Sequence, residues 1–424
     1  MSGDILRKIA AVFIMCILFA TGCGKSEGTS VLYETTVEPL RFSWWGTDVR
    51  HRYMLEGVSL FEENNPGMMV KCEYSVWEGF ERRNRIAMAS RTAADVMLIN
   101  YNWLDVYSKD GDGYYDIYDL KDIVDLSQFD ADDLKSGERE GKLNALPLAY
   151  NATVFFYNAD IYDSYGLEIP ETWDDLFEAA KVMRKDNIYP LGMVKKHFFL
   201  SMVAHYEQVQ GKNFFTADGR LNVTEEEMQD VLKFYKQLVD EKVICPVSQF
   251  SSTDFLRNKT AGIACWVNDG MKYGRDLEER GSTMVCGKML KENESRLYGW
   301  YKKPATMYAI SKYTENPDAA AELLEFLVNN EDMAKIQGVE KGFPVSKKAL
   351  AVTENSIDSP EYAKQANSML KSSKQKFKNM NYQLENPNII RIFQNYTDKY
   401  IYNKLDLEDC AAQLVSDIKA VVEE

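Results

Sequence analysis

From Leu40 to Ile99 the sequence alternates between two hydrophobic periods, and this constrains the architecture more than any other feature of the chain. Leu40-Arg41-Phe42-Ser43-Trp44-Trp45-Gly46 reads as a strand that ends at a glycine. Arg52 to Asn64 then sets Met54, Leu55, Val58 and Phe61 at the spacing of one buried helix face, and Asn64-Asn65-Pro66-Gly67 stops it. Met69 to Tyr74 alternates again, and Phe80 to Ser90 returns to helical spacing. Asp95-Val96-Met97-Leu98-Ile99 is a short apolar run suited to a strand buried on both faces. Strand–helix alternation of this kind predicts an α/β fold with a mainly parallel sheet and helices on both faces. Beyond a loop-rich stretch at 101–119, Leu143 to Asn158 reads as strand, and helices are predicted at 172–185, 224–240, 317–329 and 405–422. Thr172-Trp173-Asp174-Asp175 and Thr224-Glu225-Glu226-Glu227 have the form of N-terminal capping sequences. A chain of 424 residues is too long for one core and implies two or three domains or two large lobes. No linker divides the body, so two lobes would be joined by a chain that crosses between them more than once.

Charge and chemistry exclude several classes. The 50 Lys and Arg are outnumbered by 65 Asp and Glu, a net charge of −15, which argues against nucleic acid as partner. His51, His197 and His205 are the only histidines, which leaves little material for zinc or triad chemistry. There is no Gly-x-Ser-x-Gly, His-Glu-x-x-His, Cys-x-x-Cys or Gly-x-Gly-x-x-Gly, so no catalytic residue, metal ligand or cofactor is assigned. Asp110-Gly111-Asp112-Gly113-Tyr114-Tyr115-Asp116 looks like a calcium loop, but Lys121 stands where the last ligand belongs, and a turn is the better reading. Arg82-Arg83-Asn84-Arg85 is a basic patch that would suit an acidic sugar, or a solvated helix face.

Residues 1–22 read as a signal peptide. Arg7 and Lys8 precede an apolar run from Ile9 to Ala20, shorter than the roughly 20 residues that span a bilayer. Ala20-Thr21-Gly22-Cys23-Gly24 resembles the lipobox of bacterial lipoproteins, with Ala20 where leucine is usual; the resemblance implies a lipid on Cys23 and attachment to the outer face of the cytoplasmic membrane through that lipid alone. An ordinary secretory signal followed by an incidental cysteine is the alternative. Residues 23–37 are then the lipidated cysteine and a flexible polar tether, and Gly24-Lys25-Ser26 within it lacks the upstream glycine of a P-loop. With Cys16 and Cys23 set aside, Cys72, Cys245, Cys265, Cys286 and Cys410 are an odd set without paired spacing, read as mostly buried free thiols of a reducing or anaerobic habitat. Asn151-Ala152-Thr153, Asn222-Val223-Thr224 and Asn395-Tyr396-Thr397 match the glycosylation sequon, which a bacterial lipoprotein does not use.

Several blocks, taken in order, carry a resemblance. Phe42 to Gly46, Leu60 to Gly67, Ala89 to Met97, Gly141-Lys142-Leu143-Asn144-Ala145-Leu146-Pro147, Phe156-Tyr157-Asn158-Ala159-Asp160, Thr172 to Leu176, Ala261 to Trp266, Asn316 to Ala320 and Gly342-Phe343-Pro344-Val345-Ser346 are similar to the extracellular solute-binding proteins, family 1 type, of bacterial carbohydrate ABC transporters. Arg91 and Ala94 depart from that pattern, where glycine and proline are usual. The resemblance implies a two-lobed periplasmic-binding-protein-like fold of type II, with several hinge crossings and the ligand cleft between the lobes. By the same analogy the N-terminal lobe is 38–148 plus 300–335, and the C-terminal lobe is 150–299 plus 336–424. It also implies a monomer that captures a mono- or oligosaccharide and passes it to permease subunits served by a separate ATPase. A secreted carbohydrate-active enzyme and a sensory receptor of the same fold are the competing readings.

Sugars present flat C–H faces and a rim of hydroxyls, so their sites pair aromatic platforms with amides and carboxylates. Trp44 and Trp45 end the first strand, where ligands of open α/β sheets sit; being adjacent they point opposite ways, so at most one faces the cleft squarely. Asp48 follows as a ligand contact or a helix cap, and Trp77 and Glu78 lie in a Trp-Glu-Gly turn that would rim the cleft. Asn100, Asn102 and Trp103 follow the strand ending at Ile99, and Asn151 falls at the expected first crossing. Trp266, Asn268 and Asp269 end a strand of the second lobe, and Trp300 and Tyr301 fall near the second crossing. For each of these a purely structural role is the alternative. Trp173, inside a capping turn, is assigned to packing.

Overall fold

The computed structural model describes residues 38–354, 356 and 359–423. The signal peptide, Cys16, Cys23 and the tether up to residue 37 lie outside the described residues.

The predicted opening is present. Strands β1 (Leu40–Trp45), β2 (Val70–Ser75) and β3 (Val96–Ile99) are parallel, with β1 between the other two. The helix Asp48–Asn64 connects β1 to β2 and buries Tyr53, Met54, Val58 and Phe61, the three- and four-residue spacing of one face. It begins four residues before the apolar period does, with Asp48 in its first turn, where a carboxylate suits the positive end of the helix dipole. The helix Phe80–Ala89 connects β2 to β3, and its arginines Arg82, Arg83 and Arg85 are exposed: the basic patch is a solvated face. A ribbon of β4 (Glu138–Arg139) and β5 (Lys142–Leu143) precedes the long strand β6 (Leu146–Asn158).

The expectation of a mainly parallel sheet needs correction. Beyond β3 the order continues through β10 (Tyr301–Ile310), β6, β8 (Gly262–Trp266) and β7 (Gly192–Met193), with β9 (Met284–Cys286) on β6 and β11 (Lys378–Asn379) on β10. The pairs β3–β10, β10–β6, β6–β8 and β6–β9 are all antiparallel, so the sheet is mixed. The cause is the connectivity: one strand carries the chain out of the first half of the molecule and another brings it back, and side by side they must run in opposite directions.

Buried apolar side chains form two cores. One gathers residues from β1, β3, the start of β6, the end of β10 and the helix Pro317–Asn329; the other gathers the end of β6, β8 and the helices Trp173–Met183, Lys195–Gln210, Glu225–Asp240, Pro387–Ile401 and Leu407–Glu423. Strand β6 belongs to both: Leu146–Ala152 pairs with β10, and Thr153–Asn158 pairs with β8 and β9. A third passage runs through Gly342 to Val345, where Pro344 bridges Ala149 and the Val345 amide donates to the Leu148 carbonyl at 3.0 Å. This is the two-lobed, several-stranded junction that the sequence led us to expect.

Both capping boxes form, with Thr172 and Asp175 reciprocally bonded, and Thr224 and Glu227 likewise. Each such cap contributes about 0.5–2 kcal/mol. Trp173 is packing, buried in the second core with its Nε1 donating to Gln208 Oε1 at 3.0 Å. The Asp110–Gly113 segment is a turn closed by the Asp112 amide on Asp110 Oδ1. Among the described residues Cys72, Cys245, Cys265, Cys286 and Cys410 are free, but only Cys265 and Cys410 are buried and the other three are half-buried, so the expectation of mostly buried thiols needs correction.

Candidate ligand cleft

The carboxyl ends of β1 and β3 meet the crossing strands at an aromatic wall. Trp44 and Trp45 do point opposite ways. Trp44 turns toward the helix Asp48–Asn64, where it is fully buried, stacks on Tyr74 at 4.8 Å and donates from Nε1 to His51 Nδ1 at 3.1 Å. Burial holds His51 below the usual histidine range, which suits an imidazole that accepts at Nδ1. Trp45 faces the other way, with its ring centroid 5.1 Å from Trp77, 5.5 Å from Phe80 and 5.6 Å from Trp103. Trp77 and Trp103 lie nearly parallel at 6.2 Å. These rings differ in access: Trp103 is 1% exposed, Trp45 9% and Trp77 39%. Trp77 is therefore the open platform, and Trp103 the foundation beneath it. Gly79, at φ +78°, turns the chain from Trp77 and Glu78 into the next helix, a conformation a side chain would strain.

Cations line the base of this wall. Arg50 folds back over the end of β1 and donates to the Trp45 carbonyl at 2.8 Å. Gly46 makes that possible, since a Cβ there would stand 2.6 Å from the Arg50 side chain. From the third passage Lys341 reaches the same wall, its Nζ 5.8 Å from the centre of the Trp45 ring. The preceding residue, Glu340, pairs at 2.8 Å with Arg275 of the helix Gly270–Glu278, in the other half of the molecule.

On the far side of the crossings Asn151 Nδ2 donates to Asn268 Oδ1 at 2.9 Å, tying β6 to the turn after β8. Trp266 is half-buried, with the ammonium of Lys303 5.0 Å and that of Lys196 5.8 Å from its ring centre, and with His197 edge-on at 4.8 Å. His197 shares a 3.0 Å hydrogen bond with Thr153, and burial pushes it down to about 3, so it is a neutral structural group. Glu385 answers both lysines, at 2.6 Å from Lys303 and 3.0 Å from Lys196. Burial pushes Glu385 up, and the two ammonium groups pull it further down, to a net position below the usual carboxylate range. At Tyr101 burial raises the hydroxyl first, the Arg139 guanidinium draws it back, and the charges of Asp105 and Glu385 add to burial.

The structure thus brings together Trp45, Trp77 and Trp103 on one side, and Asn151, Trp266 and Asn268 on the other. Asn100 is half-buried beside the first group, and Asp48, Glu78, Asn102 and Asp269 are exposed. Trp44 lies in the first core. Trp300 lies in the second, donating to the Leu290 carbonyl at 2.7 Å, and Tyr301 donates to Glu207; neither of these two tryptophans offers a face to water. Residues added by the geometry are Arg50, Lys341, Lys303, Lys196 and Glu385. Their one sequence signal is Lys341, immediately before the Gly342–Ser346 block. Among the described residues no group of three or more His, Cys, Asp or Glu is placed to hold a metal.

A two-lobed α/β body with a cleft where several strands cross is the architecture of a periplasmic solute receptor. Residues 48–334 match the family described as bacterial extracellular solute-binding protein, and the chain belongs to that family. It is similar in structure to a periplasmic oligogalacturonide binding protein from Yersinia enterocolitica solved with saturated digalacturonic acid. The TM-score is 0.81 at 26% identity, covering 91% of this chain and 98% of that one. A periplasmic solute binding protein from Pectobacterium atrosepticum matches with TM-score 0.83 at 26% identity over the same shares. Among curated proteins, the arabinooligosaccharide-binding protein of Bacillus subtilis is 23% identical over 260 residues, 57% of each chain. No helix among the described residues is long and apolar enough to cross a membrane.

Proposed function

We propose that this protein captures a mono- or oligosaccharide outside the cell and delivers it to the permease of an ABC importer, by closing its cleft and without chemistry. The observation that carries this reading is the graded aromatic wall of Trp77, Trp45 and Trp103 facing the strand crossings, a platform for the flat face of a sugar ring. Relatives named for arabinooligosaccharides and for oligogalacturonides support an oligosaccharide as cargo.

With lobes at 38–148 plus 300–335 and 150–299 plus 336–424, closure bends the chain near Asn151 and Lys302–Lys303. A ligand that touches both lobes binds the closed form better than the open one and shifts the population toward the shape the permease recognises. The protein acts as a monomer, held at the outer face of the cytoplasmic membrane by a lipid on Cys23, and a separate ATPase supplies the energy.

The test is calorimetric titration of the purified protein with neutral and acidic oligosaccharides, followed by product analysis of the cell contents. Saturable binding with the sugar recovered intact is the expected result. Cleaved sugar would replace the reading with a carbohydrate-active enzyme, and no binding across the panel would overturn saccharide capture.

A further inference from the structure

The side chain with the least complete surroundings at this junction is Lys341. It is 1% exposed, and its ammonium has no hydrogen-bond partner among the described residues. The charge acting on it is that of Arg50, which repels it, and neither of the two takes part in an ion pair among the described residues. Two more buried donors also lack an acceptor among the described residues: Nε1 of Trp103, whose ring packs on Trp45, and the hydroxyl of Tyr53, which is close to Arg50. Burying a lone ammonium costs several kcal/mol, and each buried donor without an acceptor adds to that cost. Donors without acceptors gathered at one wall define the missing partner as rich in acceptor atoms and negative. The Trp45 ring, its centre 5.8 Å from Nζ, narrows it further, to an acid carried on a group that packs against this aromatic wall. Across the crossings Lys303 and Lys196 share the carboxylate of Glu385, and Lys196 also acts on Asp269, so the cations there already have acids to answer them.

We propose that the captured sugar carries a carboxylate, as a uronate unit does, and that Lys341, with Arg50 behind it, is the residue that receives it. This rests on the saccharide-capture reading above. A neutral sugar offers Nζ no counter-charge, so the site favours acidic sugars over neutral ones. Burial with Arg50 nearby holds Lys341 well below the usual lysine range, so an arriving carboxylate also restores the proton that the empty site disfavours.

The experiment titrates the full chain with digalacturonate, with its dimethyl ester and with neutral arabinooligosaccharides, for the wild type and for Lys341→Met and Lys341→Gln. The expected result is that wild type binds the acid about 10- to 150-fold more tightly than the ester, the scale of one hydrogen bond to a charged group. Lys341→Met and Lys341→Gln should erase that ratio by weakening the acid alone, with unfolding midpoints at or above wild type. Equal affinity for acid and ester, or a ratio that survives both substitutions, overturns the proposal. Binding of arabinooligosaccharides without galacturonate binding also overturns it and leaves saccharide capture standing; absence of binding to every sugar overturns both.

Discussion

Replacing Glu385 by alanine isolates the cost of an unanswered charge at the strand crossing. The carboxylate is the partner of both Lys303, at 2.6 Å, and Lys196, at 3.0 Å. The Lys196 side chain is 37% exposed and turns to water once Glu385 is gone; that of Lys303, 8% exposed on the crossing strand β10, cannot. Breaking a buried pair by removing one partner costs about 3–5 kcal/mol. The Trp266 ring, 5.0 Å from the Lys303 ammonium, returns about 0.5–2 kcal/mol of that. The expected loss is therefore about 1–4.5 kcal/mol, read as a lower urea midpoint at unchanged slope. The double substitution Lys303→Met with Glu385→Leu removes both charges and should recover most of the loss. A single-variant loss below about 1 kcal/mol, or a double variant as weak as the single, would refute the reasoning. The pH sign follows from the direction of the shift. Glu385 sits below its ordinary value in the folded protein, so its contribution is fully present above the ordinary carboxylate pKa and is lost as pH falls through the depressed folded value.

Three further outcomes follow from the same geometry. Trp77→Ala should weaken saccharide binding by about 5- to 150-fold with little change in unfolding, whereas Trp103→Ala should cost about 3–5 kcal/mol of stability; calorimetry and urea melts on both variants separate platform from foundation. Asn151→Ala and Asn268→Ala, combined in a double-mutant cycle, should show a coupling of about 0.5–1.5 kcal/mol in stability, and additive effects would mean that the 2.9 Å bond contributes nothing. Lys341 is depressed in the folded chain, with Arg50 facing it from the first helix and Glu340 already engaged by Arg275. Stability should therefore rise with pH through the alkaline window below the usual lysine value. Lys341→Met should abolish that slope and raise stability at neutral pH by about 1–4 kcal/mol, as urea melts at a series of pH values would show.

How far the chain could be read from its sequence depended on the range of the interactions. The capping boxes at Thr172 and Thr224 and the helix Pro317–Asn329 were legible because each is decided within a few residues. The opposed tryptophans at the end of β1 were legible because a strand has period two. Strand direction was not: β10 lies between β3 and β6, which precede it by some two hundred and one hundred and fifty residues in the sequence, and nothing local in Tyr301–Ile310 announces antiparallel pairing. The helix Lys195–Gln210 escaped notice for a different reason, since Phe198 to Ala204 is buried all round and shows no amphipathic period to find. Of the candidate ligand residues, the aromatic ones were found through their chemistry. The cations were missed, because a lysine beside Gly342 or at the start of a helix reads as solvated until the distant Trp45 or Glu385 is placed against it.

The overall charge of the chain bears on how those cations are to be understood. With 65 acidic residues against 50 basic ones, a lysine in this protein has no shortage of carboxylates. Lysines on the surface find them: Lys142 takes Asp112, Lys335 takes Asp332, and Lys374 lies between Asp130 and Asp133. Exposed pairs of this kind contribute little to stability, yet they form readily because carboxylates surround them. At the wall of Trp45 the pattern reverses, and Arg50 and Lys341 stand together where burial makes a missing partner most expensive. A structural lysine there would be replaced at a gain by methionine or leucine, or answered by one of the many acids. Holding an uncompensated charge inside an acidic body makes physical sense if its partner arrives from outside, and the cost of the empty site then becomes part of what drives the cleft to close on an anion.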